Sequence, residues 1–173
     1  MKILALDVSG SATGWAFGSK HALKSHGKFI SNLRCSRGER LGDFAGWIAG
    51  LLADLQPDII LVEKPYLGRN SKVLTNLSKF VAIVELQAFA VLELEIKDEW
   101  FLTPKEVKRL MGVKTSPKSS DRYSSNKEQM VKRVNHLYGL SLKYTKNKNK
   151  KHNDDDIADA IALLSAWWQM EHA

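Results

Sequence analysis

The order of apolar patterns along the chain predicts an α/β domain on a five-stranded mixed sheet, an antiparallel meander followed by parallel strands, flanked by helices. Three observations carry this prediction. Short strand-like segments joined by tight turns fill the chain up to Ser31, helical and strand-like periods then alternate from Gly38 to Leu102, and Ile59-Ile60-Leu61-Val62 is the unbroken aliphatic run that a strand covered on both faces requires.

Lys2 to Val8 reads as the first strand, short and mostly apolar. Gly10 and Gly14 bracket a turn, and Thr13–Gly18 and His26–Ser31 read as the second and third strands. From Gly38, the residues Leu41, Phe44, Ala45, Ile48, Leu51, Leu52 and Leu55 recur at helical spacing until Pro57 stops the helix. Asp58–Glu63 is the fourth strand. A long helix follows over about Ser71 to Leu94, apolar nearly all round, so that it needs cover from its own sheet on one side and from a second subunit on the other. Glu95–Leu102 is expected as the fifth strand, and Thr103 as the N-cap of a short helix from Pro104 to Met111. Lys114–Asn126, rich in Ser and Lys, is expected as a mobile loop, Lys127–Tyr138 as a basic helix, and Lys143–Lys151 as a second polar loop. The last helix opens at Asp154-Asp155-Asp156 and runs to about Met170.

A length of 173 residues suits one domain spanning 1–173, with basic loops at about 114–126 and 143–152. The composition, 44% hydrophobic and 26% charged, excludes wholesale disorder and a membrane bundle. The apolar stretch Phe80–Leu94 is broken by Glu85, Gln87 and Glu93, and Asp7 comes too early for a signal peptide, so the expected compartment is the cytoplasm, with no membrane partner. Cys35 is the single cysteine, which excludes an internal disulfide and a cysteine zinc cluster.

The net charge of +7 is unevenly spread. Leu102–His152 holds fourteen Lys/Arg against three acids, while the remainder is net acidic. A local basic segment on an acidic body suits a polyanion such as DNA. A solvated lysine-rich surface accounts for the charge equally well. The candidate DNA contacts are Lys108, Lys114, Lys118, Arg122, Lys127, Lys146, Lys148, Lys150 and Lys151.

Asp7 and Glu63 close the first and fourth strands, at the sheet edge where open α/β sheets gather ligands. Either acid alone is ordinarily just the residue where a strand leaves the core. Asp156 and Asp159 stand three apart on the last helix and share a face. The positive end of the helix dipole accounts for Asp154, Asp155 and Asp156, but less well for Asp159 within an apolar run. Four carboxylates without a His/Cys set are hard-cation chemistry, Mg²⁺ with Mn²⁺ as substitute. Two such ions about 4 Å apart are the usual arrangement for in-line phosphodiester hydrolysis. Asp154 and Asp155 stay open as alternative ligands.

The segments Ile3-Leu4-Ala5-Leu6-Asp7-Val8-Ser9-Gly10-Ser11-Ala12-Thr13-Gly14-Trp15-Ala16, Leu61-Val62-Glu63-Lys64-Pro65-Tyr66 and Asp156-Ile157-Ala158-Asp159-Ala160-Ile161-Ala162 together resemble the RuvC-type Holliday junction resolvases of the RNase H-like superfamily. The resemblance runs from the first strand to the last helix. It implies the RNase H-like fold and an endonuclease that nicks four-way DNA junctions symmetrically, leaving 5′-phosphate and 3′-hydroxyl ends. It implies metal ligands at Asp7, Glu63, Asp156 and Asp159, and a junction-wedging aromatic at Tyr66. It also implies catalytic lysines at Lys127 and, more weakly, Lys108, and a homodimer paired through the 71–94 helix. Surface lysines on basic helices are ordinary, so the two lysines carry less weight than the acids. The chain departs from the family at Val8-Ser9, where a proline commonly precedes Gly10, in a longer Lys114–Asn126 loop, and in the lysine run Lys146–Lys151. The first departure is expected to loosen the turn, and the others to broaden cutting beyond junctions, as in a compact phage-type member.

Three other readings compete. A sugar-kinase or actin-type ATP fold opens with a similar Asp7-to-Thr13 turn, but needs a second phosphate loop and about twice a ~150-residue domain. An RNase H-like nuclease acting on RNA–DNA hybrids or structured RNA would use the same carboxylates. A non-catalytic branched-DNA-binding module would need the basic segment alone.

Overall fold

The computed structural model describes residues 1–65, 71–113, 122–145 and 153–171, with the side chains of 122–125 excepted. The strands are β1 (Lys2–Asp7), β2 (Ala12–Ser19), β3 (Ala22–Ile30), β4 (Ile59–Glu63) and β5 (Phe101–Leu102). The helices are α1 (Arg37–Leu55), α2 (Ser71–Leu92), α3 (Pro104–Leu110), α4 (Arg122–Tyr138) and α5 (Asp155–Met170). The sheet order is β3-β2-β1-β4-β5. β1–β2 and β2–β3 pair antiparallel, and β1–β4 and β4–β5 pair parallel. This is the expected five-stranded mixed sheet.

Alternation along β1 and β4 divides the core in two. Ile3, Ala5, Ile59 and Leu61 pack on the face covered by α3, α4 and α5. Leu4, Leu6, Ile60 and Val62 pack on the opposite face, against Phe44, Ile48 and Leu52 of α1 and Phe80, Val84 and Ala88 of α2. By the same alternation Asp7 follows Ile3 and Ala5, and Glu63 follows Ile59 and Leu61, onto the α5 face. The in-register parallel pairing Leu6↔Val62 brings the two strand ends out side by side.

Local chemistry explains most boundaries. β2 and β3 join through Lys20 and His21, both at positive φ as a type I′ hairpin requires. Ser36 and Glu39 form a reciprocal capping box at the start of α1, and left-handed Gln56 before Pro57 ends it. Thr103 caps α3 as expected, again with a capping box to Glu106. Burial is complete for Phe44 and Phe80, which meet edge to face with ring centroids 5.1 Å apart.

Four expectations are corrected. The fifth strand is only Phe101–Leu102, because Asp98–Trp100 winds into a 3₁₀ turn that tucks Trp100 into the core. β3 begins at Ala22 rather than His26, since edge strands tolerate polar residues such as Lys24 and Ser25. α4 begins at Arg122, so the expected Lys114–Asn126 loop ends sooner; its residues 114–121 lie outside the described residues, as does 146–152 of the second basic loop. Ser9 does not loosen its turn: its hydroxyl accepts from Ala12 N at 3.1 Å and donates to Ala12 O. By length and composition α2 could cross a membrane, but one face of it is packed into the core.

Candidate active site

Asp7 and Glu63 reach the site as the last residues of β1 and β4. Asp156 and Asp159 reach it from the first two turns of α5, and Gly14 makes that approach possible. Gly14 is the β2 partner of Asp7, and a Cβ there would lie 1.9 Å from Asp156 O and 2.8 Å from Ile157 N. The backbone of α5 therefore rests directly on β2, and the fully buried Ala158, Ala160 and Ala162 extend the close packing along the helix.

Electrostatics shows that the four acids form one cluster. Burial holds the Asp7 carboxyl well above the usual aspartate range, and the charges of Asp159, Glu63 and Asp156 push it further. Burial raises Glu63, against the opposing pull of Lys108 and Lys127. Asp159 is pushed up to about 7, mainly by burial, with Lys127 pulling down and Glu63, Asp155 and Asp156 pushing up. Raised pKa values at a strand-end cluster mark a functional site better than any one of these acids does alone.

Lys127, on α4, sits among the acids. Its ammonium is paired with Asp155 and lies 3.9 Å from Asp159. α4 is fastened to α5 by the Tyr138–Ser165 hydroxyl hydrogen bond of 2.7 Å, and Met130, Val131 and Val134 bury its inner face. Lys108, on α3, flanks Glu63 across a cavity of about 90 Å³ that Lys127, Asp159 and Asn126 also line. Thus both sequence-predicted lysines stand at the acids.

The structure also separates Asp154 from Asp155. The Asp154 carboxylate accepts from Lys28 Nζ at 3.2 Å and from Lys143 N at 2.9 Å, which ties the start of α5 to β3. Asn153 completes that tie, accepting from Thr145 N at 2.8 Å while its carbonyl accepts from Lys28 Nζ at 2.7 Å. Asp154 is therefore a structural fastener, and Asp155 the partner of Lys127. The Lys28 role was not foreseen, because nothing in the sequence connects residues 125 positions apart.

The donor chemistry fits a divalent cation. All four donors are carboxylates, and the buried Asn126 Oδ1 adds an oxygen with no hydrogen-bond partner among the described residues. Among the described residues no three acids converge as a ready-made cage, and the Lys127 ammonium supplies the positive charge within the cluster. Tyr66, Lys114, Lys118, Lys146, Lys148, Lys150 and Lys151 lie outside the described residues, and of Arg122 only the backbone is described. From the acids a groove of about 940 Å³ runs along Lys28, Ile30, Ser31, Leu33 and Arg34 toward Val73. The wall it follows, at the end of β3, was missed in the sequence.

Comparison with known proteins agrees with this picture. No family model matches the chain. The crossover junction endodeoxyribonuclease RuvC of Moorella thermoacetica is 27% identical over 182 residues, covering 99% of this chain and 96% of the relative. Thermus thermophilus RuvC, solved in complex with a Holliday junction substrate, superimposes with a TM-score of 0.72 at 15% identity, covering 98% of this chain and 96% of that one. The fowlpox virus resolvase, solved with Holliday junction DNA, gives 0.55 at 18% identity over 99% of this chain and 98% of its own. The yeast mitochondrial Holliday junction resolvase Ydc2 gives 0.60 at 14% identity over 98% of this chain and 82% of its own. The resemblance to RuvC-type resolvases thus holds in sequence and in fold over nearly the whole chain.

Proposed function

We propose that this RuvC-like chain is a homodimeric, Mg²⁺-dependent, structure-selective DNA endonuclease that resolves four-way junctions by paired nicks in the cytoplasm. The observation that carries the reading is the gathering of Asp7, Glu63, Asp156 and Asp159 on one face of the sheet edge, with Lys127 among them. Strand alternation and the bare Cα of Gly14 support it, because both serve to assemble those acids.

Asp7, Glu63, Asp156 and Asp159 would hold the metal, which when bound in two copies supplies an activated water and a stabilised 3′ leaving oxygen. The chain's own contribution is positional and electrostatic. The carboxylates are fixed by β1, β4 and α5, so little reorganisation is left for the reaction. Lys127 pairs with Asp155 beside the acids, within reach of a phosphate seated there, and its ammonium would offset charge developing on the non-bridging oxygens. Lys108, across Glu63, would steady the same phosphate from the α3 side. Water attacking in line leaves 5′-phosphate and 3′-hydroxyl ends. Dimerisation through α2 is supported by Leu86 and Phe89, which are exposed on its surface.

The test is cleavage of a labelled synthetic four-way junction beside linear duplex, flap, fork and RNA–DNA hybrid, with Mg²⁺ and with EDTA. Paired metal-dependent nicks near the crossover are expected. Cutting of the hybrid without the junction would transfer the site to RNA chemistry, and junction binding without cutting under Mg²⁺ or Mn²⁺ would leave a DNA-binding module.

A further inference from the structure

The groove beside the acids has a second wall that the cleavage chemistry does not use. It is formed by the end of β3 and the turn into α1, residues Ile30 to Arg34. A volume of about 940 Å³ is far more than a metal ion needs, and falls in the ~300–1,000 Å³ range of sites that enclose an organic ligand.

The wall has three features that point to one kind of occupant. First, Ile30 is 47% exposed and Leu33 is 65% exposed, and across the groove Val73 is 61% exposed. Scattered surface aliphatics need no explanation. Here, however, three of the eight exposed large apolar side chains among the described residues line the larger groove beside the acids. Second, Ser31 is only 5% exposed, and its hydroxyl has no hydrogen-bond partner among the described residues, which is rare for a buried polar group. Third, the groove's cations are not equivalent. Lys28 is committed to Asp154 and Asn153, and Lys127 to Asp155, whereas the exposed Arg34 makes no ion pair among the described residues. Asn32 Oδ1 accepts from Arg34 N at 3.1 Å, which shapes the turn that carries Arg34.

An unpaired guanidinium, an orphan hydroxyl and an aliphatic pair within five residues match the parts of one nucleotide. The guanidinium and hydroxyl suit a phosphate. The aliphatics suit the deoxyribose and the face of a base drawn out of its stack. We propose that the Ile30–Arg34 turn is a nucleotide-holding subsite, which grips the DNA strand next to the phosphate being cut. Arg34 and Ser31 hold a neighbouring phosphate, and Ile30 and Leu33 cover the attached sugar and base. The inference rests on the nuclease reading and adds the part that selects a distorted strand over regular duplex, whose stacked bases offer the aliphatics no face.

The subsite is tested by fluorescence anisotropy with a labelled four-way junction and a duplex of equal length. The full chain carries Asp7→Asn so that binding is read without cutting, and titrations are repeated across a salt series. Arg34→Gln is expected to weaken junction binding about tenfold and to make the log K against log [salt] slope shallower by about 0.7–0.9, the loss of one phosphate contact. Leu33→Ala is expected to weaken junction binding about fivefold with the slope unchanged, to leave duplex binding less affected, and to be rescued by Leu33→Met. Both side chains are exposed, so folding is checked simply by an unchanged melting temperature. Wild-type affinity in both variants would overturn the proposal and assign the aliphatics to a protein contact. Equal slope changes in both variants, or equal losses on junction and duplex, would overturn it as well. A wild-type chain that cuts no DNA would defeat the nuclease reading alone, since the anisotropy readout does not depend on cleavage.

Discussion

Helices α2 and α5 are both strongly apolar, yet the fold encloses one and leaves the other half open. Eleven of the sixteen residues of α5 are buried, because β1 and β2 lie under it and α3 and α4 cover its other side. Only four of the twenty-two residues of α2 are buried, where it meets α1 and the sheet, and Leu86 and Phe89 face outward. The difference lies in how many neighbours the chain itself supplies. Composition fixes that a helix must be covered; topology decides by what. α5 can carry carboxylates into a low-dielectric site because it is held on two sides, whereas α2 leaves an apolar face uncovered, the one the proposed dimer would bury.

The largest effects should fall on the enclosed helix. Leu164→Ala, deep in α5, is expected to cost about 2–5 kcal/mol, while Phe89→Ala on α2 should change unfolding of the dilute monomer by less than about 0.5 kcal/mol. Denaturant melts of the two variants check this, and equal losses would break the contrast. Next comes Gly14→Ala, which forces α5 off β2. It is expected to cost about 1–3 kcal/mol and to slow junction cutting more than tenfold, because Asp156 moves away from Asp7.

The contrast is visible in the sequence only in part. β1 and β4 were legible because aliphatic runs end on Asp7 and Glu63, and α5 because Asp156 and Asp159 precede small and apolar residues at helical spacing. Glu95–Leu102 misled because a strand is due after the long helix, while the 3₁₀ turn that buries Trp100 depends on a core formed by distant residues. Arg122–Asn126 misled because serine and asparagine are weak helix formers that α4 carries only through its packed C-terminal half. The Asp154–Lys28 tie, the Lys127–Asp155 pair and the Ile30–Arg34 wall are tertiary juxtapositions that no local pattern encodes.

Smaller effects concern charge and assembly. Asp159 has a folded-state pKa of about 7 against 3.8 for an ordinary aspartate, so the fold retains a proton that the unfolded chain releases. Its favourable contribution is complete below the unfolded value and is lost as the pH rises through about 7. The metal-free melting temperature should therefore fall as the pH rises from about 4 to about 7 and level off above that. Asp159→Asn should flatten that fall, and Mg²⁺ should restore stability more at the alkaline end; a metal-free protein that is more stable at pH 8 would contradict the cluster. Phe89→Glu should convert the dimer to a monomer in sedimentation with little change in the melting of each protomer, and an unaltered dimer would remove α2 from the interface.

The most direct measurement compares the wild type and Asp7→Asn for both cleavage and binding of one four-way junction in Mg²⁺. The substitution removes the charge that would bind metal but keeps the size of the side chain. Cutting is expected to fall about a thousandfold, the scale of losing a main electrostatic contribution to a transition state, while junction affinity stays within about threefold. Cutting that survives the substitution would contradict a carboxylate-held metal site as the seat of the chemistry.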